Sequence, residues 1–431
     1  MNAVQFERPT IVALSSGLPP AAIGVIRVSG PKAGLAIENL AGSIPQPRRA
    51  TLRGLRDANG HALDDALVLW FPGTGSATGE DLAEFQCHGG RAVVAAIESA
   101  LLELPDLRAA EPGEFTRRAF LNGRIDLAQA EGLGDLLAAE TELQRASAIA
   151  NAKGAISDRV TRWRSAVLQL SAQIEAALDF SDEDDVQDLP ESFTWNIRSL
   201  VDELDLWLSR PCSEKLGEGF KIVLAGPPNS GKSSLFNALI ESEAAIISPI
   251  AGTTRDALER NVAIQGVPLS FVDTAGLRSQ TDDSIEQIGM ERAREAMEGA
   301  DLVLWLGEEG KGPEGCWEIA ARCDAEDFKA KASARFTLSA MTGEGLPDLK
   351  GALVLTARSA LPKPGEAALN ARQHGILQEA RTGISVAEET RDLLLVGEEL
   401  RTARVAFDRL IGKATTEDML DTLFGRFCIG K

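Results

Sequence analysis

The spacing of apolar positions changes character three times along this chain. Up to about residue 119, short apolar runs alternate with turns. "TIVALSS", "AIGVIRVSG" and "ALVLWF" are rich in Val, Ile and Leu and end at Gly, Pro or Ser, which predicts strands. From about residue 126, "DLAQAEGLGDLLAAETELQRASAIANAKGAISDRVTRWRSAVLQLSAQIEAALDF" carries apolar residues at helical spacing with few breakers. It stops at the acidic "SDEDDVQDLP", and "FTWNIRSLVDELDLWLSR" predicts a further helix. At "GFKIVLAG" a strand leads into a Gly-rich turn, and strands and helices alternate to about residue 355, the pattern of a parallel sheet covered by helices. Past "LPKPGEA" long helices return, in "ALNARQHGILQEARTGISVAEETRDLL" and "EELRTARVAFDRLIGK". The order predicts a mixed α/β and α+β multidomain chain. An α+β domain at 1–119 precedes a discontinuous helical domain at 120–215 and 357–431, with an α/β domain at 216–356 inserted into it.

Composition narrows the partners. The formal charge is −20 over 431 residues, which opposes unguided binding to nucleic acid, so an RNA contact needs a local basic patch or a partner's surface. The cysteines, Cys87, Cys212, Cys316, Cys323 and Cys428, form no CxxC pair and give no disulfide framework, as expected for reduced thiols in a cytoplasmic protein. The first residues carry charge and lack a long apolar core, and no apolar run approaches the roughly 20 residues needed to cross a membrane.

The clearest chemistry is "GPPNSGKSS", Gly226 to Ser234, which fits G-x-x-x-x-G-K-[ST] between a predicted strand and a predicted helix. Its backbone N–H groups can curl around an anion, and the helix N-terminus adds partial positive charge. Asn229, Ser230, Gly231 and Ser234 line this cradle. Lys232 reaches the β- and γ-phosphates, and Ser233 ligates Mg²⁺. "VDTAG" ends an apolar strand, so that Asp273 holds Mg²⁺ through water, with Thr274, Ala275 and Gly276 against the γ-phosphate. Between the two, "GTTRD" places Thr254 to complete the Mg²⁺ shell. Loop, threonine and DTAG in that order predict a P-loop GTPase switch of Ras-like type.

Base choice rests on a degraded motif. GTPases carry Asn-Lys-x-Asp after a late strand, whereas here "CWEIA" runs into "ARCDAED", with Ala321 and Arg322 in place of Asn and Lys. Asp324 is retained. A carboxylate accepts from guanine N1–H and N2–H₂, a donor pair adenine lacks, while the Arg322 stem can cover the base. "LSAMTGEG" supplies Ser339 and Ala340 for the guanine O6. The reading is GTP over ATP. Leu277 stands where many GTPases place a water-orienting Gln, so another group must position the nucleophile, with Glu286 in "DDSIEQIGMERAREA" the candidate.

Together, "PGEFTRRAFLNGRIDLAQAEG", "GPPNSGKSSL", "GTTRD", "DTAGLR", "IEQIGMERA" and "CIGK" resemble the MnmE (TrmE) family of tRNA-modification GTPases across nearly the whole chain. The resemblance implies an N-terminal tetrahydrofolate-binding domain that dimerises the protein and a split helical domain carrying the G domain. It implies a flavoprotein partner, MnmG (GidA), in a heterotetramer, and an aminomethyl or carboxymethylaminomethyl group installed at C5 of wobble uridine 34 of certain tRNAs. It also implies K⁺ held by Asn229, Ser248, Ile250 and Thr253, supplying the charge that an arginine finger gives elsewhere, worth roughly 10³–10⁵ in rate. Glu286 then orients water when two G domains meet, although the stretch before it is one residue longer than the family pattern.

By the same resemblance, Arg27, Glu84, Arg124 and Lys431 bind 5-formyl- or methylene-tetrahydrofolate. Glu84 suits a pterin edge, and the cationic groups suit the anionic glutamate tail. Arg124 replaces the family's usual Lys, and "GLPPAAIG" replaces its usual Gly-rich approach to the Arg27 strand. Lys431 would fold back toward the folate, with Cys428 either a catalytic nucleophile beside the one-carbon chemistry or a buried structural thiol. Two other functions compete. A GTPase switch in ribosome assembly would normally append a basic RNA-binding domain, and an ATPase reading rests only on the altered base motif.

Overall fold

A computed structural model describes residues 8–179, 189–241, 244–245, 259–274, 291, 293–414, 416–425 and 427–430. By internal contacts the chain divides into two units, one of residues up to 134 together with those from 408 on, the other of residues 135–407. Residues 120–134 and the last helix, Glu417–Phe424, therefore belong with the N-terminal sheet.

The first unit holds a six-stranded sheet in the order β3-β4-β5-β2-β1-β6. Its strands are β1 (Thr10–Leu14), β2 (Ile23–Ser29), β3 (Thr51–Arg56), β4 (Ala62–Phe71), β5 (Leu82–His88) and β6 (Leu107–Ala109). Neighbours run antiparallel except β1 and β6. Strand alternation sends Ile26, Val28, Val68 and Phe85 to one face, where Ile37 of α1 (Ala33–Ala41) and Ile97 and Leu101 of α2 (Arg91–Leu102) close a dry core. The opposite face carries Arg27 and Glu84, direct partners across β2 and β5. It is capped at one end by Ile11, Ala13, Leu82, Ala110 and Phe115 of α3 (Glu114–Leu121). A buried ion network braces that end. Arg118, only 3% exposed, reaches Glu80 and Glu114, and Arg108 also pairs with Glu114.

The second unit combines helices with a seven-stranded sheet. The long helical run breaks into α4 (Leu127–Ala138), whose residues up to 134 count with the first unit, and α5 (Glu142–Ala152) and α6 (Ala155–Asp179) of the second. The break before α5 is a capping box, Thr141 and Gln144 satisfying each other's backbone N–H groups. The helices Glu191–Leu208 and Ala371–Glu389 pack on each other, and Trp163, Trp207 and Phe407 form an aromatic centre. The sheet order is β13-β12-β11-β7-β10-β9-β8. Here β7 is Phe220–Ala225, β8 Ala244–Ala245, β9 Glu259–Ile264, β10 Val267–Asp273, β11 Leu302–Trp305, β12 Trp317–Ala321 and β13 Phe336–Leu338.

The five strands β7, β10, β11, β12 and β13 are parallel, as expected, but β9 pairs antiparallel with β10, and β8 with β9. The sheet is thus mixed. Its antiparallel edge follows from a two-residue turn, Gln265-Gly266, with φ of 50° and 76°, the left-handed pair a tight hairpin requires. Leu143 of α5 is buried in the same apolar core as Phe220, Ile264, Leu269 and Phe271, and its N–H donates to Gly266 O at 3.3 Å. Among the described residues, no helix is long and apolar enough to cross a membrane.

Candidate functional site

Strand β7 is buried along nearly its whole length, and it delivers the chain to the phosphate loop as a rigid stalk. The loop then turns where L-residues resist turning. Gly226 takes φ 148° with its hydrogen side against Leu306 and Gly307, where a Cβ would come within 3.0 Å of backbone. Asn229 adopts φ 60° and Gly231 φ 94°, after which the helix Lys232–Ile240 begins. Lys232 is buried, and its ammonium donates to Gly226 O at 3.0 Å and Pro227 O at 2.7 Å. The lysine thus sits over the cradle, its charge satisfied by carbonyls that an incoming phosphate can outcompete. Ser233 Oγ donates to Asp273 Oδ2 at 2.7 Å, joining the loop to the end of β10, and Thr274 Oγ1 is tied to Leu224 O at 2.8 Å. A hydroxyl and a carboxylate on adjoining elements form an all-oxygen pair of the kind that suits Mg²⁺.

The base side is assembled at the ends of β12 and β13. Cys323 N–H donates to Leu338 O at 3.1 Å, which ties the two loops together. Ser339, fully buried, accepts from the N–H groups of Met341 and Thr342. The Ser339 hydroxyl, the backbone N–H of Asp324 and the Arg322 charge hold the Asp324 carboxyl below the usual carboxylate range. Arg322 is itself left-handed, with φ 63°, and its side chain lies across the phosphate loop, its Cγ 3.4 Å from where a Cβ on Gly231 would sit. A cavity of about 510 Å³ lies over Asn229, Lys232 and Ser233, and one of about 250 Å³ lies over Asp324, Ala340 and Met341. Both are lined by Gly231, Ser234 and Arg322. One cleft therefore offers a cationic anion-binding half and a half with a carboxylate acceptor, the chemistry of a guanine nucleotide site.

The structure brings together Asn229, Ser230, Gly231, Lys232, Ser233, Ser234, Asp273, Thr274, Asp324, Ser339 and Ala340 around this cleft and its walls. Ser248, Ile250, Thr253, Thr254, Ala275, Gly276, Glu286 and Lys431 lie outside the described residues.

On the N-terminal sheet, Arg27 Nε meets Glu84 Oε1 at 2.8 Å, with the side chains 31% and 13% exposed. The carboxy-terminal segment reaches the same sheet. Ser15 Oγ donates to Gly430 O at 2.8 Å, and Gly113 N–H approaches Cys428 O at 3.4 Å. Gly430 rests on Leu14, whose partner in β2 is Ile26, next to Arg27. Cys428 is exposed, so the buried-thiol alternative does not hold. Arg124 is exposed, and its stem packs on the turn at Gly79; Thr78 and Glu80 in the same turn bond Ser29, two residues from Arg27. His88 is exposed too and pairs with Asp64 at 2.7 Å. Within "TRRAFLNG", Arg118 is a bracing residue that motif spacing does not single out. Its signal was an acid four residues earlier, Glu114, at helical ion-pair spacing.

Residues 10–124 match a family model described as the GTP-binding protein TrmE N-terminus, and residues 127–428 match one described as the MnmE helical domain. The chain is 61% identical over 422 residues to the tRNA modification GTPase MnmE of Erythrobacter litoralis (strain HTCC2594), covering 98% of this chain and 100% of that protein. It is 59% identical over 434 residues to the tRNA modification GTPase MnmE of Novosphingobium aromaticivorans, covering 98% and 99%. To the corresponding protein of Sphingopyxis alaskensis it is 51% identical over 419 residues, covering 94% and 100%.

Proposed function

Because this chain belongs to the MnmE family of tRNA modification GTPases, we propose that it couples hydrolysis of GTP in its P-loop cleft to delivery of a folate one-carbon unit, held on its N-terminal sheet, to tRNA. The general activity, a GTP hydrolase taking part in tRNA modification, follows from the family and the G-domain fold. The finer reading is ours. The product is an aminomethyl or carboxymethylaminomethyl group at C5 of wobble uridine 34, made with the flavoprotein MnmG (GidA) in a heterotetramer. The working divisions are 1–119 for folate binding and dimerisation, 120–215 and 357–431 for the helical domain, and 216–356 for the G domain.

In the cleft, Lys232 leaves its two carbonyl partners for the β- and γ-phosphates, Asp324 and Ser339 hold the guanine, and Arg322 covers its face. Ser233, with Asp273 beside it, fits Mg²⁺, which supplies charge neutralisation at the phosphates when bound. Asn229, turned left-handed at the loop's tip, supports the K⁺ proposal, in which Ser248, Ile250, Thr253 and Thr254 complete the cation shells and Glu286 orients water. Hydrolysis should be faster in K⁺ than in Na⁺, and indifference to the cation would remove the potassium proposal.

The observation that carries the folate reading is the Arg27–Glu84 pair on the sheet face opposite the dry core, with the Cys428–Gly430 segment returned to the adjoining strand. Such a pair can re-form around a ligand, Glu84 turning to a pterin edge and Arg27 and Arg124 to carboxylates. Cys428, exposed next to that segment, and Lys431 are the tail groups proposed to act there. Ile23, Leu52 and Leu67 are exposed apolar residues on three strands of this sheet, which supports dimerisation of the N-terminal domain. Titration calorimetry with 5-formyltetrahydrofolate tests the reading. Native protein should bind, and Arg27→Ala and Glu84→Gln should each weaken binding by at least about tenfold, the loss of one charge-assisted hydrogen bond. Equal binding by native protein and both variants would defeat it.

A further inference from the structure

The hydroxyl oxygen of Ser230, in the middle of the phosphate loop, is buried and has no hydrogen-bond partner. Beside it is a cavity of about 180 Å³, whose walls include Ser230, Ile319, Ala321, Arg322 and Phe328. Ala321 is the first residue of the altered base motif, where the usual GTPase pattern has Asn. Its methyl group can neither donate nor accept, and its Cβ is 3.7 Å from where a Cβ on Gly231 would sit. The two loops that grip opposite ends of one nucleotide therefore approach each other here through the Arg322 stem and a cavity whose walls also carry Asp327, Lys329 and Lys331, and the Ser230 hydroxyl bonds none of them.

We infer that Ala321 is an affinity-setting position: by withholding a hydrogen bond from Ser230, it leaves the phosphate loop and the base loop untied, so that bound nucleotide must order both. Ordering of that kind weakens binding without removing a contact to the ligand, and its effect falls mainly on dissociation. The inference rests on the placement of guanine over Asp324. That placement fails separately, if native protein binds a labelled ADP as tightly as the matching GDP.

The test is stopped-flow release of N-methylanthraniloyl GDP from the full chain. Ala321→Asn places an amide on the wall of the cavity that Ser230 also lines. It should slow release by about tenfold, the effect of one neutral hydrogen bond made to a previously orphaned group. In a Ser230→Ala background the slowing should vanish, so that chains with Asn or Ala at position 321 release nucleotide at the same rate. An unchanged rate in Ala321→Asn, or slowing that survives Ser230→Ala, would overturn the inference. If Ala321→Asn does not fold, Ala321→Gln is compared with the native alanine in the same two backgrounds, with and without the Ser230 hydroxyl. Slower release that needs the Ser230 hydroxyl supports the inference, whereas equal rates for Ala321→Gln and the native chain overturn it.

Discussion

Replacing Gly430 by alanine tests how the carboxy-terminal segment is held. Gly430 has φ 90°, and a Cβ there would come 2.1 Å from Leu14 O and 3.0 Å from Ser15 Cα, both fixed in or beside β1. Backbone cannot yield as a side-chain tip can. Two terms therefore oppose docking. A left-handed non-Gly residue costs about 1–2 kcal/mol, and losing the Ser15–Gly430 hydrogen bond costs about 1 kcal/mol more. A net change of about 2 kcal/mol lowers the docked-to-free ratio by about 30-fold. Hydrogen-exchange mass spectrometry reads this at Gly113, whose N–H points to Cys428 O. In Gly430→Ala that amide should exchange about 30-fold faster, because protection scales with the closed population. Folate affinity should fall with it, and GTP hydrolysis should not. Native exchange at Gly113 in the variant would refute the docking argument.

Four further outcomes follow. Burial pushes the Glu114 carboxyl up, but hydrogen bonds from Arg108, the Glu111 N–H and Arg118 outweigh it and hold the group below its usual 4.5. Its contribution is therefore fully present above that value and lost as pH falls below it. Glu114→Gln should destabilise by about 1–3 kcal/mol at pH 7, because Arg108 and Arg118 lose the Glu114 carboxylate while Arg118 keeps Glu80, and denaturant melts of variant and native protein should converge in acid. Asp324→Asn should weaken GDP binding by about 100-fold in equilibrium titration, since two charge-assisted hydrogen bonds to guanine are lost; native affinity would remove Asp324 from the base site. Burial raises the Cys87 thiol above its ordinary 9.0, so thiolate is scarcer there at any given pH. Iodoacetamide at pH 8 should label exposed Cys428 well before Cys87, as read by peptide mass spectrometry. Leu143→Ala should cost about 2–5 kcal/mol in thermal or chemical unfolding, the range for a buried leucine; a loss below 1 kcal/mol would mean that Leu143 does not pack in the sheet's core.

What could be read from the residues follows how local each signal is. The phosphate loop was legible because its glycines, lysine and serine act through backbone geometry within nine residues. Asp273 was legible because it ends an apolar strand. The strands β3, β5 and β6 were less so. "TLRGLR" and "LAEFQCH" alternate polar with apolar residues because one sheet face is open, and β6 is three residues long. The antiparallel edge β8–β9 escaped the parallel-sheet reading because "ERNVAI" begins on exposed charges and buries only alternate residues. The docked tail was anticipated from its cysteine and lysine, but the feature that seats it is Gly430, whose role depends on a carbonyl more than 400 positions away. Nothing in the chain's pattern reveals that Arg322 spans both halves of the cleft, since that depends on where β12 ends relative to the helix Lys232–Ile240.

Leu143 has a consequence for handling the protein in pieces. The cut points suggested by composition, near residues 216 and 356, leave that side chain behind on α5 and open a hole among Phe220, Ile264 and Leu269. A GTPase fragment trimmed to those limits would carry an unplugged, sticky surface beside the β9–β10 hairpin. The helix that fills the hole is also tied to the returning strand of chain, Ser147 and Asn151 bonding the carbonyls of Glu366 and Ala368. Shifts of the hairpin, whose second strand ends at Asp273, thus have a direct mechanical route into the neighbouring bundle.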